Sequence, residues 1–349
     1  MRDLGSVLFM AQALKWHATL VTTGMGKALT DRGKTVLIAE DRFVILARRQ
    51  DFESELRFHR AQPSSEPGCP SARKEVVMPE VRINGVSLHY LVQGRGPSVI
   101  MVHGSWGDAD NWAPVSPLLA EQCRVVSYDR RGHSRSERTT AQGSVQEDVN
   151  DLAALIEALY LDPVFVCGNS FGALITLRLA YMRPELVRGF AVHEPPGMLL
   201  LDDPESEPMV NSVVARLAPV RGVLEAGQDA SAAELFVETV AFGQGAWAQL
   251  PSSLRETFVR NAPTYLDEMR DPDGLDLDLA ALKAYWEPAL LTNSDNSPPV
   301  FSPILDRIAS ALPQSERHVY VGGGHAPHVA LPQEYARVTL PYALAGEQG

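Results

Sequence analysis

Cysteine and lysine are both scarce in this 349-residue chain, and no run of 18 uncharged apolar residues occurs in it. Three cysteines, Cys69, Cys123 and Cys167, are too few and too scattered for a disulfide framework or a Cys-rich zinc site, and one would be left over. Such usage suits a reducing compartment, so a cytoplasmic location is expected. The missing apolar run excludes a helical membrane span. Val7 to Ala11 is apolar, but Gln12, Lys15 and His17 interrupt it, so no secretory signal is expected. Positive charge is also in deficit. The 31 Lys plus Arg against 43 Asp plus Glu leave a net charge of −12, which repels nucleic-acid backbones and anionic membranes. What the chain does have is 45% hydrophobic residues, enough at this length to bury a substantial core and to exclude disorder of the whole.

The few lysines are unevenly placed. Lys15, Lys27, Lys34 and Lys74 precede Met78, and Lys283 alone follows it. Residues 1–77 hold 12 Lys plus Arg against 9 Asp plus Glu, whereas residues 78–349 hold 19 against 34. Pro63 to Pro70, punctuated by proline and glycine, reads as a linker. Residues 1–77 are therefore expected to be a dispensable or poorly ordered extension, a regulatory leader being the other reading, and residues 78–349 the working domain.

From Met78 onward the pattern alternates. Val81 to Gln93 reads as a hairpin around Asn84-Gly85. Ser98 to Val102, Arg124 to Tyr128, Val164 to Cys167 and Gly189 to Val192 are short apolar runs, as expected of parallel strands covered on both faces. Val145 to Leu159 carries one apolar helical face, and Ala173 to Tyr181 predicts a second helix. Alternating strands and helices imply an α/β fold with a mainly parallel sheet flanked by helices. From about residue 199 to 282 the rhythm breaks into helical segments without a strand, which predicts an inserted helical cap. Strands return at Ala289 to Thr292 and His318 to Val321, and a helix from about Pro332 closes the chain.

Gly168-Asn169-Ser170-Phe171-Gly172 follows an apolar strand and opens a helix, the context of a G-x-S-x-G turn that exposes a nucleophilic serine. Phe171, directly after the serine, has a backbone N–H placed to meet the charge that develops on an attacked carbonyl oxygen. With His103-Gly104-Ser105-Trp106-Gly107, Asp129-Arg130-Arg131-Gly132-His133-Ser134, this elbow and the late Gly322-Gly323-Gly324-His325, the chain resembles the α/β-hydrolase fold family from Met78 to about Leu344. The resemblance implies Ser170 as nucleophile, His325 as general base, Ser105 as the second oxyanion N–H and Trp106 as a pocket wall. His103 and His193 are expected in structural places, and His328 beside the site or on the surface.

Two carboxylates compete to orient His325. Asp295 follows the strand Ala289 to Thr292, but its turn departs from the family's usual pattern. Glu194, in His193-Glu194-Pro195-Pro196, follows the strand after the nucleophile helix, a position similar to the acid of some haloalkane dehalogenases and of zearalenone-type lactonases. Glu194 is ranked first and Asp295 is the alternative. Serine at position 170 points to an acyl-enzyme, hence to hydrolysis of an ester or lactone without metal or organic cofactor. A carbon-carbon bond hydrolase of ring-cleavage products and a non-turnover ligand receptor on the same fold are the alternatives. Phe242, Trp247, Phe258, Tyr265 and Trp286 in or beside the cap are candidates for an aromatic pocket that takes an apolar small molecule, or else for packing. The sequence leaves oligomeric state open.

Overall fold

The computed structural model describes residues 79–345 and, before them, the backbone of four strands between residues 19 and 46. The chain divides into two units, Met1–Glu75 and Val76–Gly349. In the first, β1 (Thr19–Thr23), β2 (Gly26–Asp31), β3 (Lys34–Ala39) and β4 (Arg42–Leu46) form an antiparallel meander. Thr23 pairs with Gly26, Asp31 with Lys34 and Ala39 with Arg42. The sequence reading assigned no strands here. The Pro63 to Pro70 linker and the rest of the extension, whose dispensability was expected, lie outside the described residues.

The second unit is built on an eight-stranded sheet in the order β12-β11-β10-β9-β7-β8-β6-β5. It opens with the expected hairpin. Asn84 and Gly85 take φ of 46° and 83°, the left-handed pair that a two-residue turn needs, and Ile83 pairs with Val86 between β5 (Glu80–Ile83) and β6 (Val86–Gln93). β6 runs antiparallel to β8 (Arg124–Tyr128). All later pairings are parallel, through β7 (Ser98–Val102), β9 (Val164–Asn169), β10 (Val187–His193), β11 (Ala289–Ser294) and β12 (Ser315–Tyr320). β7 lies between β8 and β9, so strand order reverses there and a crevice opens beyond the carboxyl ends of β7 and β9.

Helices cover both faces. α1 (Val145–Ala158) starts at Ser144, whose side chain accepts from Glu147 N–H, and turns Val149, Leu152, Leu155 and Ile156 onto the sheet. α2 (Phe171–Met182) is buried from Phe171 to Ala180, which explains why its sequence has little polar face. Between β10 and β11 the chain forms the cap: α3 (Glu207–Glu225), α4 (Asp229–Phe236), a single π turn over Val237–Ala241, and α5 (Ser252–Arg270). Trp106, Val220, Leu224, Ala232, Ala233, Val237, Phe258 and Ala262 make a separate apolar cluster of the cap.

α6 (Phe301–Ala311) was not anticipated, although Ile304, Leu305, Ile308 and Ala311 carry a clear helical spacing and are all buried. α7 (Pro332–Ala343) packs Tyr335 and Ala336 against the opposite sheet face with Trp112 and Leu119. No helix among the described residues is long and apolar enough to cross a membrane.

Because the complete sheet and its helices lie within residues 79–345, a chain beginning at Met78 is expected to melt in one cooperative transition, close to that of the full chain. Loss of cooperative melting on truncation would mean that the extension completes the core.

Candidate active site

Ser170 and Glu194 each stand directly beyond the end of a strand, and His325 stands in the loop after another. β9 is buried along its whole length and delivers Ser170 at φ 54° and ψ −121°, a backbone region that costs a non-glycine residue roughly 1–3 kcal/mol. Hydrogen bonds impose it: Ser170 N–H donates to His193 C=O at 2.8 Å and Ala173 N–H to Ser170 C=O at 2.8 Å. The flanking glycines are required by contact. A Cβ on Gly172 would lie 2.2 Å from the Val102 carbonyl oxygen, and one on Gly104 would lie 2.9 Å from Ser170 Cβ. The turn after β7 is thus pressed directly against the serine.

His325 sits in the glycine loop after β12, its side chain 31% exposed. Its Nδ1–H donates to Glu194 Oε2 at 2.6 Å, and Glu194 has no exposed surface. The other carboxylate oxygen accepts from Ser294 N–H at 2.9 Å and lies 3.4 Å from His193 Nε2. Burial by itself would raise the Glu194 carboxyl, but the His193 and His325 imidazoles hold it well below the usual carboxylate range.

Asp295 does something else. Exposed beyond β11, it accepts from Gly322 N–H at 2.7 Å, while Asn296 Oδ1 accepts from Gly324 N–H at 2.8 Å. These two side chains brace the loop that carries His325, and it is Glu194 that meets the imidazole.

Three further contacts escaped the sequence reading. Asn169 Nδ2–H donates to the His325 carbonyl at 2.9 Å, tying the serine turn to the histidine loop. Phe301, at the start of α6, stacks on the His325 ring with centroids 5.2 Å apart. His193, expected as a structural strand-end residue, also touches the acid. Its buried Nε2–H donates to the Gly324 carbonyl at 3.2 Å, and its Nδ1 lies 2.9 Å from Thr292 Oγ1, whose hydroxyl donates to the Val192 carbonyl at 3.1 Å. Asn169 was legible as part of the elbow, but nothing local announced its partner.

His103 and His328 are both buried. His103 Nδ1–H donates to Gly104 C=O at 2.8 Å and Nε2 accepts from Arg130 N–H at 3.0 Å; burial first, then the Arg130 charge, lower its pKa to about 3. His328 is buried against Trp112 with ring centroids 4.2 Å apart.

The expected aromatic pocket is redistributed. Trp106 has no exposed surface: its ring packs on Phe236 at 4.7 Å, Tyr265 at 4.8 Å and Phe258 at 6.0 Å, so it joins the cap to the sheet rather than walling an open pocket. Phe242 is 52% exposed at the edge of this cluster, 6.5 Å from Phe258. Trp247 lies on the cap surface beside Arg255 and Val259, and Trp286 is 65% exposed and outside the cluster.

Among the described residues one group of metal-ligating side chains converges, His193, Glu194 and His325, with donor atoms within 4.8 Å of one another. Ligands about 2 Å from a tetrahedral ion stand roughly 3.3 Å apart. The 2.6 Å between His325 Nδ1 and Glu194 is instead the length of a direct hydrogen bond, and the group does not fit a metal.

The Glu194 carboxyl sets a pH dependence of stability. Its folded pKa lies below the unfolded value of about 4.3, so its contribution is complete above that pH and is lost as pH falls toward the folded value. The difference in melting temperature between the native protein and Glu194→Gln is expected to narrow as pH drops from about 5 to 3. A difference that stays constant over that range would refute the depressed carboxyl.

Comparison with known proteins places this geometry. A family model described as the alpha/beta hydrolase family matches residues 99–338. The uncharacterized hydrolase YraK of Bacillus subtilis is 40% identical over 123 residues, which are 35% of this chain and 45% of that protein. The 2-hydroxy-6-oxo-6-(2'-aminophenyl)hexa-2,4-dienoic acid hydrolase of Metapseudomonas resinovorans is 22% identical over 266 residues, 75% of this chain and 89% of that protein. The matches to the curated relatives at 30–40% identity span less than half of those proteins' lengths. Among solved structures, the enol-lactonase of Burkholderia xenovorans superposes with a TM-score of 0.63 at 18% identity, covering 76% of this chain and 99% of that one. With its family model matched from β7 into α7, the chain belongs to the alpha/beta hydrolase family.

Proposed function

We propose that this chain is a cofactor-independent serine hydrolase that cleaves a carboxylic ester or lactone of an apolar small molecule through an acyl-enzyme. The observation that carries the reading is the 2.6 Å hydrogen bond from His325 Nδ1–H to the buried Glu194, with Ser170 held in the elbow conformation directly after Asn169, which binds the His325 carbonyl. With its proton on Nδ1, the imidazole keeps a lone pair on Nε2, the form that takes a proton from a hydroxyl.

Ser170 Oγ then attacks the carbonyl carbon as its proton passes to His325. The charge that develops on the carbonyl oxygen is met by the backbone N–H groups of Phe171 and Ser105, with the N-terminus of α2 adding its favourable dipole. The imidazolium, balanced by Glu194, protonates the leaving alkoxide, and a water activated by the same histidine releases the acid. In a lactone the alkoxide stays tethered to the acyl group. Side chains and backbone supply every step, so no metal or organic cofactor enters.

The serine supports an ester or lactone over the halide and epoxide substrates that other members of the fold attack with aspartate. The Metapseudomonas relative, matched over most of both chains, favours carbon-carbon bond hydrolysis as the second reading. One panel separates them: p-nitrophenyl esters, lactones and ring-cleavage diketo acids, assayed with the native chain and three variants. Ser170→Ala is expected to lose kcat by orders of magnitude and Glu194→Gln by about 10²- to 10⁴-fold. Asp295→Asn, which can still accept from Gly322, is expected to stay within a few-fold. Preference for the diketo acid would favour the second reading, and a single slow turnover per chain a receptor. A crippled Asp295→Asn beside a normal Glu194→Gln would move the acid to the later strand.

A further inference from the structure

Beneath the cap, one stripe of α5 covers the turn that follows β7. Asn261, Tyr265 and Glu268 share a face of the helix. Asn261 Nδ2–H donates to the Trp106 and Gly107 carbonyls at 3.1 and 2.8 Å, and Tyr265 packs on the Trp106 ring. Glu268 reaches one residue deeper: its Oε2 accepts from Ser105 Oγ–H at 2.5 Å, and its Oε1 accepts from Arg130 at 2.6 Å.

Arg130 is itself buried and lies against the other half of the expected oxyanion hole, with its guanidinium carbon 4.9 Å above the Phe171 ring. Its backbone N–H holds His103, which in turn holds Gly104. The same guanidinium also binds Asp148 of α1 at 3.1 to 3.2 Å. One buried cation therefore faces two carboxylates. Burial pushes Asp148 up to about 6 and raises Glu268 as well, with Arg130 opposing both shifts.

We propose that Glu268 is a positioning residue, a brace by which the cap holds the Ser105 turn and, through Arg130, the Phe171 ring in the geometry that stabilises the oxyanion. This rests on the reading of Ser105 and Phe171 as the oxyanion donors. Glu268 touches no reacting atom; it acts on the two residues whose N–H groups do. Its function follows from preorganisation, because a donor aimed slightly away from the developing charge loses much of its value in a site that excludes water. Seating of the cap and competence of the hole then become a single event.

The test needs no knowledge of the natural substrate. An alkyl fluorophosphonate reacts once with an activated serine: Ser170 Oγ forms a bond to phosphorus, fluoride leaves, the serine proton passes to His325, and the phosphoryl oxygen occupies the oxyanion position. Labelling is followed in the native chain and in Glu268→Gln, Ser105→Ala, the double variant and Ser170→Ala. Glu268→Gln is expected to fold, since it leaves Arg130 paired one to one with Asp148; thermal melting checks this, and Ser105→Ala removes the same contact from the core side. The maximal labelling rate of each single variant is expected to fall about tenfold with half-saturation within twofold, and the double variant to be no slower than the slower single one.

An unchanged maximal rate in a folded Glu268→Gln, fully additive losses, or a change confined to half-saturation would each overturn the brace. A Ser170→Ala chain that labels like the native one, or a native chain that takes no label, would instead overturn the hydrolase reading and the brace with it.

Discussion

Glu194 keeps a negative charge with none of its surface in water, and the arrangement of the site follows from how that charge is satisfied. A buried carboxylate without partners would take up a proton and could no longer stabilise an imidazolium. Its partners come from three different strands: Ser294 N–H from β11, His193 from the end of β10 itself, and His325 from the loop after β12. They converge only because the parallel register is in phase. Asn169 pairs with His193, His193 with Thr292 and Thr292 with His318, one row across four strands. Ser170 and Glu194 are the next residues beyond that row. A slip of one residue in β10 would turn Glu194 to the opposite face and remove the acid from the base.

The serine depends on the same row from the other side. Its left-handed backbone is held by the His193 carbonyl, so the residue whose ring lies against Glu194 also fixes the Ser170 turn through its main chain. Glycine at 172 lets α2 start beneath the Val102 carbonyl, and glycine at 104 lets the β7 turn approach the serine. The strain of the elbow is confined to Ser170, whose neighbours on both sides are buried and hydrogen-bonded.

The cap is tied to this machinery by polar contacts as well as by packing. Trp106 provides the apolar joint, while Asn261 and Glu268 bind the backbone and side chain of the turn beside it. A fold that hosts many reactions does not by its sheet alone choose a substrate.

How much was legible before folding depended on how local each signal was. The hairpin at Asn84-Gly85, the buried strands, α1 and the serine elbow are written in adjacent residues, because turn chemistry and apolar period act over a few positions. The apolar period of α6 is equally local. The choice of Glu194 over Asp295 was a ranking in the sequence and a contact in the structure: both follow strands, and only the register of β10, β11 and β12 shows which carboxylate meets His325 and which is taken by Gly322. Trp106 could be read as an aromatic residue near the site but not as a buried joint, since its neighbours Phe236, Phe258 and Tyr265 lie far along the chain. The partners of Asn169, His193 and Glu268 had no sequence signal at all. The sequence by itself determined most elements of the second unit and the serine elbow, because those rest on short-range geometry. Tertiary structure alone decided which carboxylate contacts His325, what Glu268 holds and where the aromatic residues pack, because buried charges and rings are defined by whichever distant groups desolvate and satisfy them.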